Sequence, residues 1–340
     1  MDYDEYPYYK KKDGNGANNN DTSTNANADG GTSTAIQEPT LTEALNQFKY
    51  ASEVEGKADK TLQQYDYVFD KFTDFLDDED PPISKVSASH VRGFLKRLMD
   101  KNLAKATVAI HHRVIQAFFN WLVDEELLEK APTRNIDEPK TPDKYPRILD
   151  EEQTNKLIRT AENNKSTWAG YRNYTMILTF LDTGLRVSEL VNARLTDLKF
   201  NERSLKVLGK GAKDRVVFFG KRTYLALRKW IDIRDDKGKP LDDTVFISQN
   251  RDKLKTRHVQ RIITRLQKKA NLEDTKVSPH VLRHTAATMA VRNGMGSFAL
   301  KRFFGWESIK TAMKYVHMGD QTVKKAFKES SPIDGLEKEK

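Results

Sequence analysis

The 340-residue sequence predicts a mainly α-helical protein in two domains, with one small antiparallel β-sheet confined to the second. Three observations carry this prediction. Apolar residues recur at helical spacing through most of 41–132 and again through most of 150–328. Pro132, Pro139, Pro142 and Pro146 interrupt that pattern within a short charged stretch and mark an extended linker. The segment SLKVLGKGAKDRVVFFG holds two short β-type runs around a Gly-Lys turn, the pattern of a hairpin.

Residues 1–38 are expected to be a disordered tail. Positions 14–35 are nearly all Gly, Asn, Asp, Thr, Ser and Ala, with no period, and cannot bury enough surface to offset chain entropy. From Thr40 the character changes. Leu41, Ala44, Leu45, Phe48 and Ala51 share one helical face. A second stripe carries Leu62, Tyr65, Phe69, Phe72, Phe75 and Leu76 and stops at Pro81-Pro82. Ser87 is the expected N-cap of a third helix with Val91, Phe94, Leu95 and Leu98, and a fourth carries Val108, Val114, Ile115, Phe118, Phe119 and Leu122. Four amphipathic helices with short connections predict a helical domain over 39–133, followed by a linker over 134–147. The second domain is expected over 148–330, with a short tail at 331–340. It opens with a helix capped by Asp150. Two helices broken at Gly184 follow, then the hairpin, a further strand at TVFIS (244–248), and five helical segments from RHVQRIITRLQKKA to QTVKKAFKES. Tyr171 and Tyr174 fall on an apolar helix face and are expected in the core.

Composition narrows the function. With no cysteine, the chain has no disulfide scaffold, thiolate metal site or cysteine nucleophile. It has no apolar run long enough to span a membrane and no apolar signal segment near Met1, so a cytoplasmic location is the default expectation. The net charge of +9 is unevenly spread: residues 1–40 carry −4 and the remaining 300 carry +13. A basic body of that kind suits either a polyanionic partner or simply a lysine-rich solvated surface.

Several short motifs carry polar groups. In TGLRVSEL, Arg186 and Glu189 lie one turn apart, which by itself is a surface ion pair worth a few tenths of a kcal/mol. In PHVLRHT, His280, Arg283 and His284 share a face. The two histidines do not make a metal site, because they flank a cation and lack the glutamate of a zinc-hydrolase helix. GKGAKDR lacks the spacing of a phosphate-binding loop and sits in a hairpin rather than before a helix.

Taken in chain order, TGLRVSEL, GKGAKDRVV, HVLRHT and FGWESIKTAMKYVH resemble the catalytic domain of the tyrosine recombinases, the family of the phage integrases, Cre and the Xer proteins. The likeness extends over about 148–328, and the helical region before it resembles the family's core-binding domain. The resemblance implies a site-specific recombinase that cuts and rejoins duplex DNA through a 3′-phosphotyrosyl link, without metal, cofactor or ATP. It implies Arg186 and Arg283 on the scissile phosphate, Lys210 in the hairpin turn as general acid, and His280 as base or phosphate donor. Glu189 would support the site, Trp306 would stand where most members have a second histidine, and Tyr315 would be the nucleophile. These residue types fit metal-free phosphodiester chemistry. Two guanidinium forks match the non-bridging oxygens and stay charged, whereas a phenol, with an ordinary pKa near 10, needs help to lose its proton. Trp306 offers one N–H donor and no titratable group, which leaves proton transfer to Lys210 and His280. His284 either orients a neighbour or is a structural helix histidine, and the structural role is the expectation.

Duplex DNA also accounts for the basic body. Lys60 with Thr61, and Lys105 with Thr107, open helices whose N-termini suit phosphates. Arg113 stands one turn further on. Lys213 in the hairpin turn, and Arg257 with His258 at the start of a helix, complete the expected DNA contacts. The resemblance further implies a homo-tetramer on paired sites, with QTVKKAFKES docking on a neighbouring copy. A type IB topoisomerase and a non-catalytic DNA-binding regulator are the alternatives. The forms HVLRHT and GWESIKTAMKY favour the recombinase, and the filled chemical positions disfavour the regulator.

Overall fold

The computed structural model describes residues 38–76, 80–140, 146–208, 214–235 and 243–316. Of the expected tails only Glu38 lies within them, accepting from the Ser84 N–H at 2.7 Å; Lys210, Lys213 and the QTVKKAFKES segment lie outside. The chain divides between Pro142 and Asp143 into two compact units.

The first unit is all helical: α1 (Leu41–Val54), α2 (Asp59–Leu76), α3 (Ala88–Asp100) and α4 (Lys105–Asp124). Thr40 begins α1 with a reciprocal cap, its hydroxyl accepting from the Glu43 N–H at 3.3 Å while Glu43 accepts from the Thr40 N–H at 3.0 Å. The predicted stripes meet in one core, and α4 packs on the other three helices. Phe48 sits at its centre, 5.2–5.9 Å from the rings of Tyr65, Phe69, Phe118 and Trp121. The two edge-on pairs among these, with Phe69 and Phe118, add about 0.5–1.5 kcal/mol each beyond the area they bury. His112 ties the segment after α4 back to the bundle through the Ile136 carbonyl at 2.9 Å.

The second unit contains α5 (Glu151–Asn163), α6 (Trp168–Thr183), α7 (Val187–Asn192), α8 (Lys221–Asp235), α9 (Thr256–Lys269), α10 (Pro279–Arg292), α11 (Ser297–Phe304) and α12 (Ile309–Val316). Asp150 caps α5 as expected, accepting from the Gln153 N–H at 2.7 Å. Helix α6 runs through the core, with α5, α8 and α10 packed on it and Met176, Ile177 and Phe180 fully buried. Tyr174 is buried and Tyr171 packs against the same core. The sheet has three antiparallel strands in order, β1 (Leu198–Lys199), β2 (Ser204–Leu208) and β3 (Asp214–Phe218), with Leu205 opposite Val217.

Two features depart from the sequence reading. The TVFIS segment is not a strand of this sheet. Thr244 and Ile247 each make one isolated bridge, to Arg194 and Lys253, while Val245, Phe246 and Ile247 are buried in the core. An apolar β-branched run is here a buried connection rather than a ladder. Helix α8, unmarked in the sequence reading, buries Thr223, Ala226, Leu227 and Trp230 on α6, with the Trp230 indole donating to the Val245 carbonyl at 2.8 Å.

Candidate active site

The polar motifs of the second unit converge where α6, α7, β3 and the helices α10–α12 meet. Gly184 ends α6 in the left-handed region, with φ +59°, and donates to the Phe180 carbonyl. A Cβ at Gly184 would stand 2.2 Å from the Phe304 ring, so both backbone angle and packing demand glycine here. The turn sets Arg186 immediately before α7. Glu189, one turn into that helix, accepts from the Arg186 backbone N–H at 2.7 Å and from its Nη1 at 2.8 Å. Arg186 Nη2 donates to the Gly305 carbonyl at 3.3 Å, and the side chain stays about one-third exposed at 34%.

Glu189 is buried, and its second partner is a residue that the sequence reading did not single out. Arg215 in β3 meets both carboxylate oxygens, Nη1 to Oε1 at 2.7 Å and Nη2 to Oε2 at 2.8 Å. Burial alone would raise the carboxyl, but Arg215 and Arg186 outweigh it and hold Glu189 down at about 2.

Ser278 caps α10 and Pro279 occupies its first turn. This start places exposed His280, buried Arg283 and half-buried His284 within the first two turns of the helix. Arg283 donates from Nη1 to the Gly184 carbonyl and from Nη2 to the Phe304 carbonyl. Its guanidinium lies 5.3 Å from the Phe304 ring centre and 5.8 Å from that of Trp306. Burial, followed by the nearby Arg186 charge, pulls it down to about 10, so it remains a cation at neutral pH.

Tyr315 lies in α12 and is 3% exposed. Its hydroxyl hydrogen-bonds His284 Nδ1. Burial pushes the phenol up to about 12 against the opposing pull of Arg283. Burial also lowers His284, helped by His280 and Arg283. The phenol therefore keeps its proton and sits hydrogen-bonded to a neutral imidazole. Trp306 also stacks on Tyr315, its ring 5.0 Å away and within 4° of parallel, and Phe304 stacks on Trp306 at 5.0 Å. His280, His284, Tyr315, Trp306 and Phe304 thus form one aromatic column alongside Arg283.

Six of the seven expected catalytic positions, Arg186, Glu189, His280, Arg283, Trp306 and Tyr315, come together here, and the seventh, Lys210, lies outside the described residues. His284, expected to be structural, instead touches the hydroxyl of the expected nucleophile. Its signal in the sequence was its place one turn after His280 on the same helix face. Among the described residues no group of acidic and histidine side chains could hold a metal ion.

The other expected contacts fall elsewhere on the two units. Lys60 and Thr61 lie in the first turn of α2, and Lys105 and Thr107 in that of α4. Arg113 is exposed and pairs with Glu138 at 3.5 Å. Exposed Arg257 and half-buried His258 open α9. No helix among the described residues is long and apolar enough to cross a membrane.

Residues 147–322 match the model of the phage integrase family, and residues 44–129 match that of the phage integrase N-terminal SAM-like domain. The chain is 29% identical over 294 residues to the tyrosine recombinase XerC of Corynebacterium efficiens, covering 86% of this chain and 92% of that protein. It is 30% identical over 310 residues to XerC of Caldanaerobacter subterraneus, covering 85% of each. Among solved structures, the integrase of transposon Tn1549 with transposon right end DNA shares the fold, with a TM-score of 0.69 at 20% identity over 85% of this chain and 99% of that one. With a family match over more than half its length and these relatives over nearly all of its helical body, the chain belongs to the phage integrase family of site-specific tyrosine recombinases.

Proposed function

We propose that this recombinase breaks duplex DNA by in-line attack of the Tyr315 phenolic oxygen on a scissile phosphate gripped by Arg186 and Arg283. The P–O bond to tyrosine forms as the P–O bond to the 5′-oxygen breaks. Lys210 gives the departing oxygen its proton, and His280 and the Trp306 N–H bond the non-bridging oxygens. The products are a 3′-phosphotyrosyl link and a free 5′-hydroxyl, and religation reverses each transfer. The observation that carries the reading is the Tyr315 hydroxyl beside His284 in a column flanked by Arg283. Preorganised cations around a buried nucleophile stabilise charge where it develops in the transition state. His284 is the first acceptor of the phenolic proton, because it already holds the hydrogen bond.

The duplex partner is supported by the basic helix starts at Lys60 and Thr61, Lys105 and Thr107, and Arg257 and His258, by Arg113 further along α4, and by Lys213 in the GKGAKDR motif. A structural relative, lambda integrase, has been solved as a tetramer bound to a Holliday junction. A homo-tetramer on paired sites is the assembly that strand exchange calls for. The test is covalent trapping: incubation with a nicked suicide duplex bearing the cognate site should give a detergent-resistant adduct, and Tyr315→Phe should abolish it. An adduct that survives Tyr315→Phe removes Tyr315 from its role.

A further inference from the structure

Arg215 is the second residue of β3, the strand that follows the hairpin turn, yet its side chain belongs to the arginine cluster rather than to the sheet surface. Besides the two bonds to Glu189, its Nε donates to the Phe303 carbonyl at 2.9 Å. The side chain is 9% exposed. A Cβ at Gly305 would come 3.0 Å from Arg215 Cδ, so the left-handed turn that ends α11, at φ +62°, is shaped around this guanidinium. One side chain thus connects β3, the first turn of α7 and the turn leading to Trp306.

The charge arrangement is specific. Glu189 shares its carboxylate between Arg186, which is part exposed, and Arg215, which is buried. Arg186 and Glu189 alone would form a neutral pair, with the arginine's charge spent on the carboxylate. Adding Arg215 makes the trio net positive, and the fork-to-fork geometry places the compensating charge on Arg215. A buried carboxylate with too few partners draws on any cation within reach.

We propose that Arg215 is a positioning residue of the recombination reaction: by occupying both oxygens of Glu189 it leaves the charge of Arg186 available to the scissile phosphate. The inference rests on the assignment of Arg186 to that phosphate. Arg215 itself touches no reacting atom.

The test uses the full chain in single-turnover cleavage of the suicide duplex, with duplex affinity measured by gel shift. Arg215→Gln is expected to slow adduct formation by about a hundredfold, the scale of losing a preorganised charge, with duplex Kd changed less than about threefold. Arg215→Lys, a point charge without the fork, should recover part of the rate. The decisive variant is Glu189→Gln with Arg215→Gln. Removing the carboxylate charge returns Arg186 to the phosphate, so the double variant should cleave about tenfold faster than Arg215→Gln alone. On a duplex with an uncharged methylphosphonate at the scissile position, the Arg215→Gln defect should shrink.

A wild-type rate for Arg215→Gln overturns the proposal. So does a double variant no faster than the single one, together with an undiminished defect on methylphosphonate, because a merely structural arginine predicts both. Should Arg215→Gln fail to fold by circular dichroism, Arg215→Lys and the double variant decide the question by the same rates. Absence of a Tyr315 adduct in the unsubstituted chain would instead overturn the assignment of the nucleophile, so the two failures are told apart.

Discussion

At the residue scale, the pair formed by Tyr315 and His284 sets the terms of the chemistry. Burial raises the phenol to about 12 and lowers the imidazole, so both shifts oppose proton transfer between them. The hydrogen bond orients the hydroxyl without ionising it. Transfer becomes favourable only as the phenolic oxygen bonds to phosphorus and loses its basicity. His284→Ala should therefore slow cleavage by about 10- to 100-fold, the usual range for a lost acid–base partner, while duplex binding is kept. Single-turnover adduct formation checks this, and an unchanged rate would return His284 to the structural role expected from sequence. The difference in 295 nm absorbance between the wild-type chain and Tyr315→Phe, followed with alkali, should place the Tyr315 phenol above the ordinary range.

At the element scale, the site depends on turns as much as on helices. The α6–α7 turn needs glycine twice over, for φ +59° and for the 2.2 Å approach of Phe304. Its carbonyl also accepts from Arg283. Gly184→Ala should cost about 1–3 kcal/mol from backbone strain, plus whatever the displaced Phe304 adds. Thermal melting should show a lower Tm, and the adduct rate should fall more steeply than stability because Arg283 loses its anchor. Most helices were legible because each turns one face inward: the stripes predicted for α1 to α4 are buried or half-buried residues. Helix α8 was missed because charged residues surround its few apolar ones and no cap announces its start. TVFIS looked like a strand because burial, rather than pairing, selects its residues. The catalytic motifs were legible through their order along the chain, but Arg215 was not, because its partner Glu189 lies 26 residues away and no period links them. One local clue existed: Arg215 alternates with buried Val217 on the same strand face, where a charge demands a partner.

At the scale of the whole molecule, a buried histidine makes each unit acid-sensitive, and Glu189 adds a lower window in the second. In the first, His111 in α4 is 1% exposed. Its Nδ1 bonds the Thr107 carbonyl at 2.8 Å, and Nε2 has no partner among the described residues. Burial lowers its pKa below 6.5 despite that bond, with the Lys71 charge adding to the fall. Well above pH 6.5 the ring is neutral in both folded and unfolded chains. As pH drops below 6.5 the unfolded chain takes up the proton first, and folding stability is lost until the folded pKa is passed. His284 contributes the same sign in the second unit. Glu189 acts in a lower window there: held at about 2 against an ordinary 4.5, its stabilisation is full above 4.5 and lost as pH falls toward 2. Calorimetry of the full chain should show Tm falling between pH 7 and 5.5. His111→Phe, which keeps a ring near Tyr67 and Phe94 but cannot titrate, should flatten that fall in the first unit. Glu189→Gln should leave the histidine window intact and reduce the loss below pH 4.5. A Tm as steep in pH for His111→Phe as for the wild-type chain would show that other groups govern the acid response of the helical unit.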